Sequence, residues 1–258
     1  MLGGTREARA VSTAFADHDQ LHMTHALAGA TATPHLTDGI DTRIGGFGGA
    51  DGLAEYLRET EIDLLIDATH PFAVTISRNA SAAADNAGCP LLRVARPPWM
   101  AIDGDDWRHV RAVEDIVSEL RGNAHVFMAI GSGGMEAAIN LAKLRPDCGL
   151  LLRIADFSSA TAAQGLPNNL KVLVARPPYD LAQERALFEY NSITDVVTKN
   201  SGGDGASAKL IAARERGNRV WMIARPQAPG LPMNATEVEG AAEAIAFLQR
   251  WAVSSIHS

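Results

Sequence analysis

Along this chain, short apolar runs alternate with stretches in which apolar residues recur three and four positions apart. The first pattern reads as buried strands and the second as amphipathic helices. In the first part, strands are predicted at residues 21–27, 42–45, 62–66 and 91–94, with helices over 6–16, 51–59 and 75–87. In the second part, strands are predicted at 107–110, 124–130, 149–154, 170–174, 195–198 and 219–223. Helical patterns cover 114–120 and 137–144, a stretch carrying Leu181 and Phe188, and a segment beginning near Ala206. A closing helix over 237–252 places Val238, Ala241, Ile245 and Leu248 on one stripe, whereas 155–169 has neither period and reads as a loop. Strand–helix alternation of this kind predicts an α/β fold with parallel sheets. Pro97 and Pro98 follow a strand end and mark a natural boundary, so two domains are expected, 1–97 and 98–258.

Composition narrows the partners. Of 258 residues, 47% are hydrophobic and 21% charged, enough apolar material for the cores of an ordinary globular protein. A net charge of −7 argues against nucleic acid as a partner but leaves room for an anionic small molecule, because a local group of arginines and lysines can oppose the global sign. Two cysteines are too few for a disulfide framework, and no His/Cys cluster suggests a bound metal. No leader or membrane-spanning segment is visible, so the expected compartment is the cytoplasm.

Polar chemistry concentrates where strands give way to helices. Gly3, Gly4 and Thr5 open the first helix, an arrangement suited to a phosphate because the backbone can approach closely and free N–H groups face the anion. Only Met1 and Leu2 precede them, so the strand that normally leads into such a turn is missing or is supplied elsewhere in the fold. The next strand end, at residues 26–31, lacks the acid that would take the ribose 2′-hydroxyl of NAD, which leans toward NADP; Arg6 and Arg43 are candidate cations for its 2′-phosphate. Asp67, Thr69 and His70 sit where the strand 62–66 ends, either as site groups or, for Asp67 and Thr69, as caps of the following helix. Lys199, Asn200, Ser201, Gly202 and Gly203 form a donor-rich turn at another strand end, with Lys209 on the helix beyond. Strand ends at Arg96, Arg176 and Arg225 share one Arg-Pro pattern and, with Lys199, can oppose a polyanion.

Taken in order, Gly3-Gly-Thr-Arg-Glu-Ala8, Asp67-Ala-Thr-His-Pro-Phe-Ala73, Arg93 with Arg96-Pro97, Thr198-Lys-Asn-Ser-Gly-Gly203 and Lys209 resemble the precorrin-6A reductases of corrin biosynthesis, over nearly the whole chain. The resemblance implies two Rossmann-like domains with the active site in the cleft between them. It also implies NADPH-dependent reduction of one double bond in a tetrapyrrole bearing many carboxylates, precorrin-6A, to give precorrin-6B. On it rest the expected roles: Gly3, Gly4, Thr5, Arg6, Asp67, Thr69 and His70 toward the cofactor, and Arg96, Arg176, Lys199, Asn200, Ser201, Gly202, Lys209 and Arg225 toward the substrate. His70 and Lys199 are the candidate proton donors, beside water. Two other classes stay open, a reductase of another small anionic metabolite and a non-catalytic NADP sensor. The first lacks the Tyr and Lys pair at helical spacing that short-chain enzymes use, and the second has no need of the Lys199 turn.

Overall fold

The computed structural model describes residues 1–29, 37–155 and 165–255; the expected loop at 155–169 and the strand end at 26–31 fall partly outside them. In chain order the described residues form α1 (Arg6–Ala14), β1 (Thr24–Leu27), β2 (Asp41–Ile44), α2 (Gly49–Glu59), β3 (Leu65–Asp67), α3 (Val74–Ala87) and β4 (Leu91–Ala95). There follow β5 (Asp106–Val110), β6 (His125–Ala129), α4 (Met135–Leu144), β7 (Gly149–Ile154), β8 (Leu170–Val174), α5 (Leu181–Tyr190) and β9 (Asp195–Lys199). The chain closes with α6 (Ala208–Glu215), β10 (Arg219–Ile223), β11 (Ala235–Glu239) and α7 (Gly240–Ser255).

The chain divides into two compact units, Met1–Pro97 with Pro226–Ser258, and Pro98–Arg225. The break at Pro97 and Pro98 is where the sequence puts it. The expectation that everything after Pro98 belongs to the second domain is corrected: β11 pairs in parallel with β4, Ala235 opposite Leu91, so the C-terminal segment completes the first unit. Residues 237–239 of β11 fall inside the expected closing helix because Val238 fits its apolar stripe. Gly240, at a φ of 72°, separates the strand from the helix.

In the first unit, β11, β4 and β3 form one parallel group and β1 and β2 another. The segment expected to lack a strand joins them. Leu2 pairs in parallel with both Ala26 and Asp67, with Leu2 N–H donating to Ile66 O at 2.7 Å and Ala26 N–H donating to Met1 O at 2.8 Å. Counting Leu2 as the first strand, the order across the sheet is 3-2-1-4-5-6, that of doubly wound nucleotide-binding folds. Side chains fill both faces. Leu53, Leu57, Ala80, Ala83 and Ala84 from α2 and α3 cover one, and Ala8, Val11, Ala244 and Leu248 from α1 and α7, with Phe15 at the end of α1, lie with Ile66 and Leu92 on the other. The alanines of α3 let α2 and α3 pack closely.

The second unit is a six-stranded parallel sheet in the order β5-β10-β9-β6-β7-β8. Read from β6, it has the same 3-2-1-4-5 arrangement, and its sixth place is filled by β5, the strand that comes first in sequence. Val126, Phe127, Met128, Val196, Val197, Val220, Trp221 and Met222 are essentially inaccessible to solvent, as central strands of a parallel sheet covered on both faces must be. The helix expected at 114–120 is reduced to one 3-10 turn, Val113–Ile116. Beyond it, the carbonyls of Val117 and Leu120 accept from the Arg145 guanidinium at 2.9 and 2.8 Å.

The placement of α7 has a measurable consequence. Leu248 is 2% exposed, and Leu248→Ala is expected to destabilise the first unit by about 2–5 kcal/mol. Amide exchange should show faster opening of β4 with β9 unaffected; an effect on β9 instead would place α7 in the second unit.

Candidate functional site

Ligands of open α/β sheets bind outside the carboxyl ends of the strands, where the strand order reverses. In the first unit that point lies between Leu2 and β3, and it gathers the two motifs singled out in the sequence. Gly3 has a φ of 128°, and a Cβ there would sit 2.5 Å from Ala68 O, so only glycine lets these backbones meet. Thr5 ties the approach together: its hydroxyl donates to Ala68 O at 2.7 Å and accepts from Ala8 N–H at 3.1 Å, capping α1. Gly4 is exposed above this turn, as is Arg6 in the first turn of α1.

Asp67, Thr69 and His70 leave the neighbouring strand. Asp67 is buried; one carboxylate oxygen accepts from Thr69 N–H at 3.1 Å and Thr69 Oγ1 at 2.7 Å, and the other lies 3.8 Å from Arg93 Nε. Neither residue caps α3, whose N-cap is Ala73 without a side-chain bond. Asp67 thus braces the strand end, and Thr69 Oγ1 links it onward to Ser77 at 2.9 Å. His70 is half-buried, and its Nδ1 accepts from Phe72 N–H at 3.2 Å, which leaves the ring proton on Nε2. Arg96 pairs with Glu7 in the first turn of α1.

His25, which sequence reasoning passed over, supports the turn from below. Gly3 O can only accept, so His25 Nε2 donates to it, and Nδ1 then accepts from Ser12 Oγ at 3.2 Å. Burial pushes this imidazole below its ordinary value of 6.5; the hydrogen bond to Gly3 opposes that, and the nearby N-terminus and Arg9 reinforce it. A cavity of about 510 Å³, lined in part by Leu21, Tyr56, Leu57 and Trp251, opens at the amino ends of the same strands, away from these groups.

The second unit reverses its strand order between β6 and β9, and the Lys199 turn stands there. Asn200 and Trp99 form a reciprocal pair: Trp99 N–H donates to Asn200 Oδ1 at 2.8 Å, and Asn200 Nδ2 donates to Trp99 O at 3.1 Å. Trp99 Nε1 also donates to Gly203 O at 2.8 Å, while Arg225 donates to Asn200 O at 2.7 Å and Ser201 O at 3.1 Å. Gly202 and Gly203, with φ of 69° and 71°, permit the turn. Its carbonyls are therefore fixed by Trp99 and Arg225. Lys209 lies beneath: buried, over the Trp99 ring at 4.6 Å and donating to Ala206 O at 2.6 Å. Burial and the Arg153 charge pull its ammonium down to about 7, against the opposing effect of Glu184. Lys199 is half-buried, and burial lowers its value too.

So the structure brings together Gly3, Gly4, Thr5, Asp67 and Thr69 in one unit, and Lys199, Asn200, Ser201, Gly202 and Arg225 in the other. It leaves Arg176 apart: Arg176 follows the edge strand β8, three strand spacings or about 14 Å from β9, and its Nε donates to Ala155 O just past β7. Trp99 was legible only as an aromatic after a proline pair, and nothing local marked His25 or the buried Arg153–Glu184 pair at 2.8 Å.

The His25 contact predicts a pH dependence. A base whose folded-state value is lowered contributes stability above its unfolded value and loses it as the pH falls. The first unit is expected to lose stability as the pH drops below 6.5 toward the lowered folded value, and His25→Gln should flatten that limb in urea titrations read between pH 8 and 5. An unchanged limb would mean that His25 does not carry it.

The family described as precorrin-6x reductase CbiJ/CobK matches residues 1–249. A precorrin-6A reductase of Rhodococcus erythropolis is 40% identical over 251 residues, covering 97% of this chain and 98% of that one. A cobalt-precorrin-6A reductase of Synechocystis sp. (strain ATCC 27184 / PCC 6803 / Kazusa) is 30% identical over 186 residues, 68% of each chain. Among solved structures, a CobK precorrin-6A reductase matches with a TM-score of 0.84 and 36% identity, over 96% of this chain and 94% of that one. No helix among the described residues is long and apolar enough to cross a membrane. With the motifs gathered at the two reversal points, these likenesses place the chain in the precorrin-6x reductase CbiJ/CobK family.

Proposed function

We propose that the protein reduces one carbon–carbon double bond of precorrin-6A to give precorrin-6B, with NADPH as the reductant. The observation that carries the cofactor half is the tight Gly3 turn, where a Cβ would collide with Ala68 O, followed by the exposed Gly4 and the capped N-terminus of α1. That is the environment a dinucleotide pyrophosphate requires. Gly3, Gly4, Thr5 and Arg6 would hold it, with Thr69 and His70 along the adjoining strand end and Asp67 bracing them. When bound, NADPH supplies the hydride. NADP is favoured over NAD because no acid occurs between Leu27 and Thr37.

The substrate half rests on the family and on the cationic turn of the second unit. The metal-free macrocycle is favoured, since the relative of that name is 40% identical and the cobalt-precorrin relative 30%. Lys199 offers a charge to substrate carboxylates, and Asn200, Ser201 and Gly202 offer the surface of a turn held rigid by Trp99 and Arg225. Lys209 acts through Trp99, as a support. Arg96, paired with Glu7, steadies α1.

Reduction leaves a carbon that needs a proton. Two groups qualify as its source: Lys199, whose ammonium is made more acidic by burial, and His70, which would deliver from Nε2 as the imidazolium, at the cost of the Phe72 N–H bond to Nδ1. Anaerobic NADPH oxidation with precorrin-6A, in parallel with cobalt-precorrin-6A, tests the whole reading. Turnover of the metal-free macrocycle is expected, and replacing the true donor in His70→Gln or Lys199→Met should lower kcat by about 100- to 10,000-fold and remove a limb of the pH profile. If NADPH binds and neither macrocycle is reduced, the assignment fails and a nucleotide-binding sensor takes its place.

A further inference from the structure

We propose that Arg43 reads the 2′-phosphate of the cofactor and so sets the preference for NADPH over NADH; the inference rests on the NADPH reading above. The cradle at Gly3 fixes where a dinucleotide pyrophosphate would lie, and in this fold the adenosine half extends from there across the carboxyl ends of the next two strands. Those strands are β1 and β2. Leu2 pairs with Ala26, and Ala26 in turn with Arg43, so Arg43 stands two strand spacings, about 10 Å, from the strand that carries Gly3.

At that place the guanidinium is held ready. It stacks over the Phe47 ring at 4.3 Å and lies 5.5 Å from the Tyr56 ring. Its Nη1 and Nη2 donate to Gly45 O at 3.4 Å and Gly46 O at 3.3 Å, bonds at the long edge of the useful range. Among the described residues no carboxylate pairs with it. By contrast, Arg93, Arg96, Arg153 and Arg214 are each matched to an acid. A half-buried arginine with a stacked face and weak backbone partners has donors to offer a phosphate in a two-point contact. Among the described residues, a Cβ added at Gly45, Gly46, Gly48 or Gly49 would meet nothing within 4 Å, so none of them packs against the glycine loop beside Arg43 at those points. Arg6, which is exposed, lies in the first turn of α1, next to the pyrophosphate position and not the adenosine end.

A purely structural role, in which Arg43 clamps the glycine loop, predicts something different, and equilibrium titration of the full chain with NADPH and with NADH separates the two. Wild type is expected to bind NADPH more tightly. Arg43→Gln should weaken NADPH roughly ten- to a hundredfold and leave NADH unchanged, erasing the preference, while Arg43→Lys keeps part of it. Parallel titration with adenosine 2′,5′-bisphosphate and with AMP should reproduce the contrast without the nicotinamide. If both nucleotides weaken together, Arg43 is a structural clamp and the proposal is wrong. It is equally overturned if Arg43→Gln keeps the wild-type preference, since another cation then reads the phosphate. Wild type that binds neither nucleotide would instead bring down the cofactor reading itself.

Discussion

Between β1 and β3 the first sheet is held by the backbone of Met1, Leu2 and Gly3, which donates and accepts on both sides: to Ile66 and from Ala68 on one, from and to Ala26 on the other. Without these bonds the sheet falls into a two-stranded and a three-stranded piece. Their effect extends beyond backbone pairing. Successive side chains on an extended segment point to opposite faces, and here Leu2 enters the core beneath α2 and α3 while Met1 packs against the core beneath α1 and α7. Gly3 then leaves the sheet at the point where a side chain is impossible, and His25 and Thr5 lock it from either side. One short segment therefore supplies the continuity of the sheet, a link to both cores and the cradle of the site.

The second unit reaches a similar result with other means. Its reversal point is filled by a turn whose carbonyls at Asn200, Ser201 and Gly203 are captured by Trp99 and Arg225, residues that flank the unit at its two ends in sequence. Lys209, set under the Trp99 ring, stiffens the turn from the helix side. The buried pair Arg153–Glu184 lies close enough for both charges to act on Lys209, with Arg153 against Tyr179 at 3.5 Å and Glu184 Oε2 left without a hydrogen-bond partner among the described residues. Removing either member would leave a buried charge uncompensated, which is why such a pair persists even where an apolar pair would be as stable.

What the sequence discloses and what it hides follow from range. The Gly3 turn, the Asp67 motif and the Lys199 turn are legible because their chemistry and their backbone demands lie within a few residues. Pairings across the chain are not. Arg96, Arg176 and Arg225 look alike, each at a strand end before a proline, yet one pairs with Glu7, one bonds Ala155 O at a sheet edge and one shapes the Lys199 turn. Topology, not local pattern, assigns those partners. For the same reason β11 hides within a helical stripe, since its warrant is the distant β4. The helix pattern at 114–120 likewise gives only a 3-10 turn, and Arg145, remote in sequence, takes the Val117 and Leu120 carbonyls beyond it.

The return of the chain at Pro226 makes the second unit an insertion between the fifth and sixth strands of the first. Unit two is continuous in sequence and has all its strands once Arg225 is in place; the first sheet lacks its edge strand until β11 follows. An unfolded insertion of that length would impose a large closure entropy on pairing β4 with β11, whereas a folded one replaces most of the loop by a rigid body. Folding of the inserted unit therefore lowers the cost of completing the first, and the dependence runs one way, because nothing in the second sheet waits on a strand from outside it. Mutations that weaken the inserted core at Phe127, Phe188 or Trp221 are thus expected to delay completion of the nucleotide-type sheet, although none of those residues belongs to it.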